Sequence, residues 1–185
     1  MKSFWRWTGT IFFALAFLFL VLTGIGTSLP IDHRAACYAA YEKPIPYLFA
    51  AVADDEASVS WRPGIATAAL VSGKGPTAVW RETDSHGGQI TYRTVAYAEN
   101  NKLTRSIDFV PGMPFGGTWT YLFSPAYEPT TMNRVMIVED GKIYNPFFRF
   151  LARYVFGYTQ SMQAYLADLA RLTHDNPEVT CEANQ

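Results

Sequence analysis

The chain has 185 residues with 15 Lys+Arg against 16 Asp+Glu, a net charge of −1, and 16% aromatic residues. Setting aside the first 30 residues, whose only charges are Lys2 and Arg6, leaves 13 basic against 16 acidic residues, about −3. No basic cluster lies on any face, which excludes nucleic acid as a partner because phosphate neutralisation needs concentrated Lys and Arg.

Residues Trp7 to Ile31 form a 25-residue run without charge, long enough at 1.5 Å per residue to cross a hydrocarbon layer of roughly 30 Å. Its wholly apolar centre, Ile11 to Leu22, also has the length of a signal-peptide core, and Gly24 and Gly26 offer a cleavage-like site. Trp5 and Trp7 resemble interfacial anchors, which favours a retained single-pass membrane helix through residues 8–29. Lys2 and Arg6 on one side are balanced by Arg34 and Lys43 on the other, so charge does not orient it. The short basic N-terminus before one large domain has the form of a signal anchor, which places residues 32–185 outside the cytoplasm. Cys37 and Cys181 suit that side, and a disulfide between them would close most of the domain. The expected division is 1–30 as anchor or signal-like segment, 31–173 as one folded domain and 174–185 as a flexible tail.

His33 to Glu42 reads as a strand ended by Lys43-Pro44-Ile45-Pro46, and Pro46 suits the first turn of a short helix to Ala53. Asp54, Asp55 and Glu56 read as a solvated loop. From Thr67 to Glu139 the turn signals recur at short spacing, and about six antiparallel strands follow. Alternation puts Tyr92 on the concave face, groups Trp119, Tyr121 and Phe123, and groups Leu103, Ile107 and Phe109. Arg105 falls in the last row, where it needs a partner if buried. Asn145 as N-cap and Pro146 at N1 begin a 28-residue amphipathic helix to Thr173. Leu151, Val155, Tyr158, Met162, Leu166 and Leu169 form its inward stripe, and Arg149, Arg153, Asp168 and Arg171 its solvent side. Gly157 interrupts the middle of this helix, where it allows a bend or a close approach.

This order gives an α+β fold: a curved antiparallel sheet of about seven strands wrapped on a long C-terminal helix. Several stretches resemble one known group. Pro44 to Asp54, Ser60-Trp61-Arg62-Pro63-Gly64, Trp80-Arg81-Glu82, Pro114 to Trp119, Glu139-Asp140-Gly141 and Tyr144 to Phe150 are similar to the START-related, or SRPBCC, superfamily, in particular to bacterial members of polyketide cyclase/dehydrase-like type. The resemblance spans residues 31–173. It implies the helix-grip fold and a cavity between sheet and helix for an apolar or amphipathic small molecule. Lipid carriers, coenzyme-Q-binding proteins, plant ligand binders and cyclases share that fold.

The proposed ligand-binding lining is Trp80, Glu82, Tyr92, Phe109, Trp119 and Tyr121 from the strands with Phe148, Leu151, Val155 and Met162 from the helix. The alternative is that these side chains fill the space completely. No dinucleotide, P-loop or hydrolase-elbow motif occurs, and His33, His86 and His174 are scattered, so no cofactor and no metal are expected. Glu82, Asp108 and Glu139 are the acid/base candidates within strands, because a carboxylate facing inward is desolvated. The leading reading is a membrane-tethered protein that holds a lipid, quinone or polyketide-like molecule. A cyclase or dehydratase, and a ligand-free interaction domain, stand as alternatives.

Overall fold

The computed structural model describes residues 2–107, 113–126 and 131–184. Helix α1 (Lys2–Thr27) is followed by strand β1 (Asp32–Tyr41) and by two short helices, α2 (Ile45–Ala53) and α3 (Asp55–Trp61). The meander β2 (Ile65–Ser72), β3 (Val79–Asp84), β4 (Gln89–Ala98), β5 (Lys102–Ile107), β6 (Phe115–Pro125) and β7 (Asn133–Ile143) comes next. Helices α4 (Pro146–Leu151) and α5 (Gln160–Thr173) and strand β8 (Thr180–Asn184) end the chain.

All the described strands form one sheet in the order β2-β3-β4-β5-β6-β7-β1-β8, antiparallel throughout. It has eight strands rather than about seven. The additional one, β8, lies in the segment expected to be a flexible tail, and its backbone pairs with Arg34 to Tyr38 of β1. Cys37 and Cys181 stand opposite each other in that pairing and form a disulfide.

The acidic run after α2 is not a loop. Asp54 caps α3, its Oδ1 accepting from the Ala57 amide at 2.9 Å, and Asp55 is buried. Acidic residues in the first turn favour a helix start because the exposed amides there carry partial positive charge. Asn145 caps α4 as its sequence predicts, accepting from the amides of Phe147 and Phe148.

The closing helix is broken. After α4 the residues Ala152–Phe156 form a π-helical turn, and Gly157 takes a φ of 77°, a left-handed conformation that costs a side-chain-bearing residue about 1 kcal/mol or more. The inward stripe therefore does not continue through the break. Met162, Tyr165, Leu166 and Leu169 of α5 face the sheet, while Val155 is 58% exposed. Two residues expected on the solvent side also turn inward. Arg149 is buried and donates to the Leu29 carbonyl at 2.7 Å, and the Asp168 side chain is only 15% exposed beside Arg171.

The core lies between the sheet's concave face and helices α2, α3 and α5. Ala35, Cys37, Ala39 and Tyr41 of β1 alternate inward, and the Tyr41 hydroxyl donates to the Leu166 carbonyl at 2.8 Å. The disulfide ties the first strand to the last across 144 positions of sequence. In the chain-entropy picture a loop of that length costs the unfolded state about 5 kcal/mol. Replacing both cysteines by serine is expected to lower unfolding free energy by about 2–5 kcal/mol in urea denaturation.

Candidate functional site

A cavity of about 500 Å³ lies between the curved sheet and α5. Ile90, Tyr92, Ile107, Phe115, Trp119 and Tyr121 supply its sheet wall, Ser161, Ala164, Tyr165 and Asp168 its helix wall. Arg62, Glu82 and Arg105 supply charge at the wall beneath α3, and Glu139 stands on β7.

The charged wall is a connected network. The Arg62 guanidinium donates to Glu82 twice, at 2.5 and 3.3 Å. The Tyr92 hydroxyl lies 2.8 Å from Asp55 Oδ1 and 3.0 Å from Glu82 Oε1, so it sits between two carboxylates. Arg105 pairs with Asp55, donates to the Val52 carbonyl at 2.9 Å, and lies over the rings of Tyr92 and Tyr121. Arg62 similarly covers the Tyr165 ring at 4.9 Å.

Burial decides the protonation of this network. It pushes the Asp55 carboxyl above its ordinary range, against the pull of Arg105 and the Tyr92 hydroxyl. It raises the hydroxyls of Tyr92, Tyr121 and Tyr165 above their ordinary range, so each remains protonated across the physiological range. Tyr92 therefore spends its one hydroxyl proton within the network, on Asp55 or Glu82.

A second cavity of about 250 Å³ adjoins the first and shares Ile107, Phe115, Glu139 and Ser161 with it. Phe148, Leu151, Ala152, Phe156 and Gly157 form its outer wall. His33 faces this space, stacked on Tyr158 with ring centroids 4.4 Å apart, and its Nε2 lies 3.4 Å from Glu139 Oε1. No group of three or more His, Cys, Asp or Glu side chains among the described residues is arranged to hold a metal ion.

The structure distributes the sequence-derived set of lining residues. Glu82, Tyr92, Trp119 and Tyr121 border the larger cavity, and Phe148 and Leu151 border the smaller. Trp80 pairs with Tyr92 across β3 and β4, one pleat beyond Glu82, and does not border either space. Met162 is fully buried in the core, and Val155 projects outward because of the break at Gly157. Phe109, and Asp108 among the acid/base candidates, lie outside the described residues. Sequence reasoning missed Asp55, Arg62, Tyr165 and the His33–Glu139 contact. The signal for the first was present: an inward Arg105 requires a carboxylate.

A profile of the family described as polyketide cyclase / dehydrase and lipid transport matches residues 47–173. The chain belongs to that family. Solved structures with the same fold include a START superfamily protein from Mycobacterium smegmatis, 14% identical with a TM-score of 0.61 over 77% of this chain and 97% of that one. Ginseng major latex-like protein 151 from Panax ginseng is 13% identical, with a TM-score of 0.58 over 77% and 95% of the two chains. The di-domain ARO/CYC BexL from the BE-7585A biosynthetic pathway is 11% identical, with a TM-score of 0.59 over 83% of this chain and 54% of that one. No curated protein matches the sequence. The family and fold support a ligand-binding or cyclase/dehydrase-like domain.

The network makes a stability prediction. Arg105→Met leaves Asp55 buried without its cation, and Asp55→Asn leaves Arg105 without its anion; each is expected to cost about 3–5 kcal/mol in urea unfolding. The double variant is expected to cost clearly less than the two losses added, as a double-mutant cycle will read.

Proposed function

We propose that this protein is a membrane-anchored binding protein for one amphipathic or hydrophobic small molecule, of lipid, quinone or polyketide-like shape. The observation that carries the reading is the cavity itself: about 500 Å³, walled mainly by aromatic and aliphatic side chains, with Arg62, Glu82 and Arg105 gathered at one end. That volume falls in the range of small-molecule sites, and an apolar wall with few convergent polar groups is their usual chemistry. The hydrocarbon part of the ligand lies against Ile107, Phe115 and Trp119, and its polar end lies toward Arg62, Glu82 and Tyr92.

The anchor is α1, whose stretch Thr10–Thr27 has a mean hydropathy of 2.2 and is 6% buried. An apolar surface that exposed is stable in lipid and costly in water. The disulfide supports placing the domain outside the cytoplasm, since such bonds persist in oxidising compartments.

A second reading, a cyclase or dehydratase, is favoured by one contact. Glu139 borders both cavities and lies beside His33, a pairing that can exchange a proton with a bound substrate.

The test is mass spectrometry of small molecules that copurify with the full-length protein in lipid nanodiscs. One amphipathic species at near-stoichiometric level is expected. Ala164→Trp, which places a large ring in the cavity, is expected to reduce it at least about tenfold while the thermal unfolding midpoint holds. An empty wild-type protein contradicts the carrier reading. A bound molecule recovered chemically altered, with alteration abolished in Glu139→Gln, supports the enzyme reading instead.

A further inference from the structure

The connection between α1 and the first strand is short. Only residues 28–31 separate Thr27 from Asp32, a reach of about 17 Å even when fully extended. This connection is also pinned: Arg149 Nη1 donates to the Leu29 carbonyl at 2.7 Å, and the Ile143 amide donates to the Ile31 carbonyl at 2.9 Å. A domain held this way has no linker on which to stand away from a membrane that α1 crosses.

The face that must meet the membrane is identified by contacts. The Phe147 ring of α4 packs on Phe19 of α1 with centroids 4.9 Å apart. Pro146 approaches Gly26 so closely that a Cβ there would strike the Pro146 carbonyl, so the two helices meet backbone to backbone. Phe19 lies eight residues before Thr27, or about 12 Å along the helix axis. Helix α4 thus runs beside the last two turns of α1 and not above its end.

The segment after α4 is apolar and exposed. Tyr154, Val155 and Phe156 are 60%, 58% and 59% exposed and Phe148 is 44% exposed. Contiguous apolar patches of this kind mark an interaction surface. Its continuity with the surface of α1 identifies the occupant as lipid. The outer wall of the smaller cavity, formed by Phe148, Leu151, Ala152, Phe156 and Gly157, belongs to the same segment.

We propose that Pro146–Gly157 is seated in the bilayer interface alongside α1, so that the smaller cavity opens into lipid rather than into water. The inference rests on the reading of α1 as a membrane helix and is independent of which ligand is bound. Tyrosine and phenylalanine at this depth suit the boundary between headgroups and acyl chains, and the Arg153 side chain can extend toward the headgroups.

The test uses the full-length chain in nanodiscs of phosphatidylcholine and phosphatidylglycerol, with a nitroxide attached at one introduced cysteine at a time. The native cysteines are paired and take no label. Val155→Cys reports the seat, Phe148→Cys the cavity mouth, and Val71→Cys on β2, 47% exposed, the water-facing reference. The expected result is a ratio of oxygen to nickel-chelate relaxation several-fold higher at positions 155 and 148 than at 71. A water-like ratio at 155 overturns the seating, and a water-like ratio at 148 alone overturns the lipid-facing mouth. Carbonate extraction of the same preparation tests α1 separately: release of the chain defeats the membrane reading itself, whereas retention with water-exposed labels defeats only this inference.

Discussion

The buried pairing of Arg105 with Asp55 is the constraint around which the domain is organised. Arg105 is on β5, near the middle of the sheet, and its side chain is 8% exposed. A cation at that depth is tolerated only when charge and hydrogen bonds replace water, since an uncompensated buried charge costs several kcal/mol. Asp55 supplies the charge from the first turn of α3, and the Val52 carbonyl supplies a further acceptor from the last turns of α2. One side chain therefore fixes both short helices against the sheet. Tyr92 extends the arrangement to Glu82, and Glu82 extends it to Arg62, just after α3. Removing the central cation takes away one of the ties that hold α3 in place, and Arg62, which follows α3, lines the larger cavity.

The cavity itself follows from what the helices leave uncovered. Six strands from β2 to β7 make a curved meander, and a single 28-residue helix could span much of it. The actual α5 has 14 residues and covers β1 and the neighbouring strands with Met162, Leu166 and Leu169, each worth roughly 1.5–3 kcal/mol of burial. The break at Gly157 diverts the preceding turn away from the sheet. Space then remains between β3–β6 and the start of α5, bordered by rings that meet one another edge-on, such as Trp119 with Tyr121 and Tyr165. Closure at the other edge of the sheet is covalent, through β8 and its disulfide to β1.

Much of this was legible in the sequence because strands declare their faces by alternation. Tyr92, Trp119, Tyr121, Phe123 and Leu103 all point inward as their parity requires, and the Asn145-Pro146 start of α4 follows from capping chemistry. Three features were not legible for identifiable reasons. Three consecutive acids read as solvated unless the second of them has a cationic partner 50 residues away, and only the inward parity of Arg105 hinted at one. An isolated glycine within a helical pattern costs the same whether the helix bends or breaks, so Gly157 did not reveal that the stripe would shift and leave Val155 outside. The five residues of β8 carry little apolar signal, and their place in the sheet is set by pairing with β1 and by Cys181.

On the proposed reading, the charged network also sets what the site can discriminate. Arg62, Glu82, Tyr92 and Asp55 are already engaged with one another, so these four groups are not unpaired charges waiting for a headgroup. A polar ligand end that reaches them must replace hydrogen bonds the protein already makes, and the exchange yields little net free energy. Burial of apolar surface, at roughly 25 cal/mol per Å², is left as the main source of affinity. The walls of Ile107, Phe115, Trp119 and Tyr121 therefore select on the length and shape of the hydrocarbon part, and the network acts as a polar stop that fixes how deep it lies. Such a site tolerates variation at the head of its ligand and penalises a mismatch in the tail.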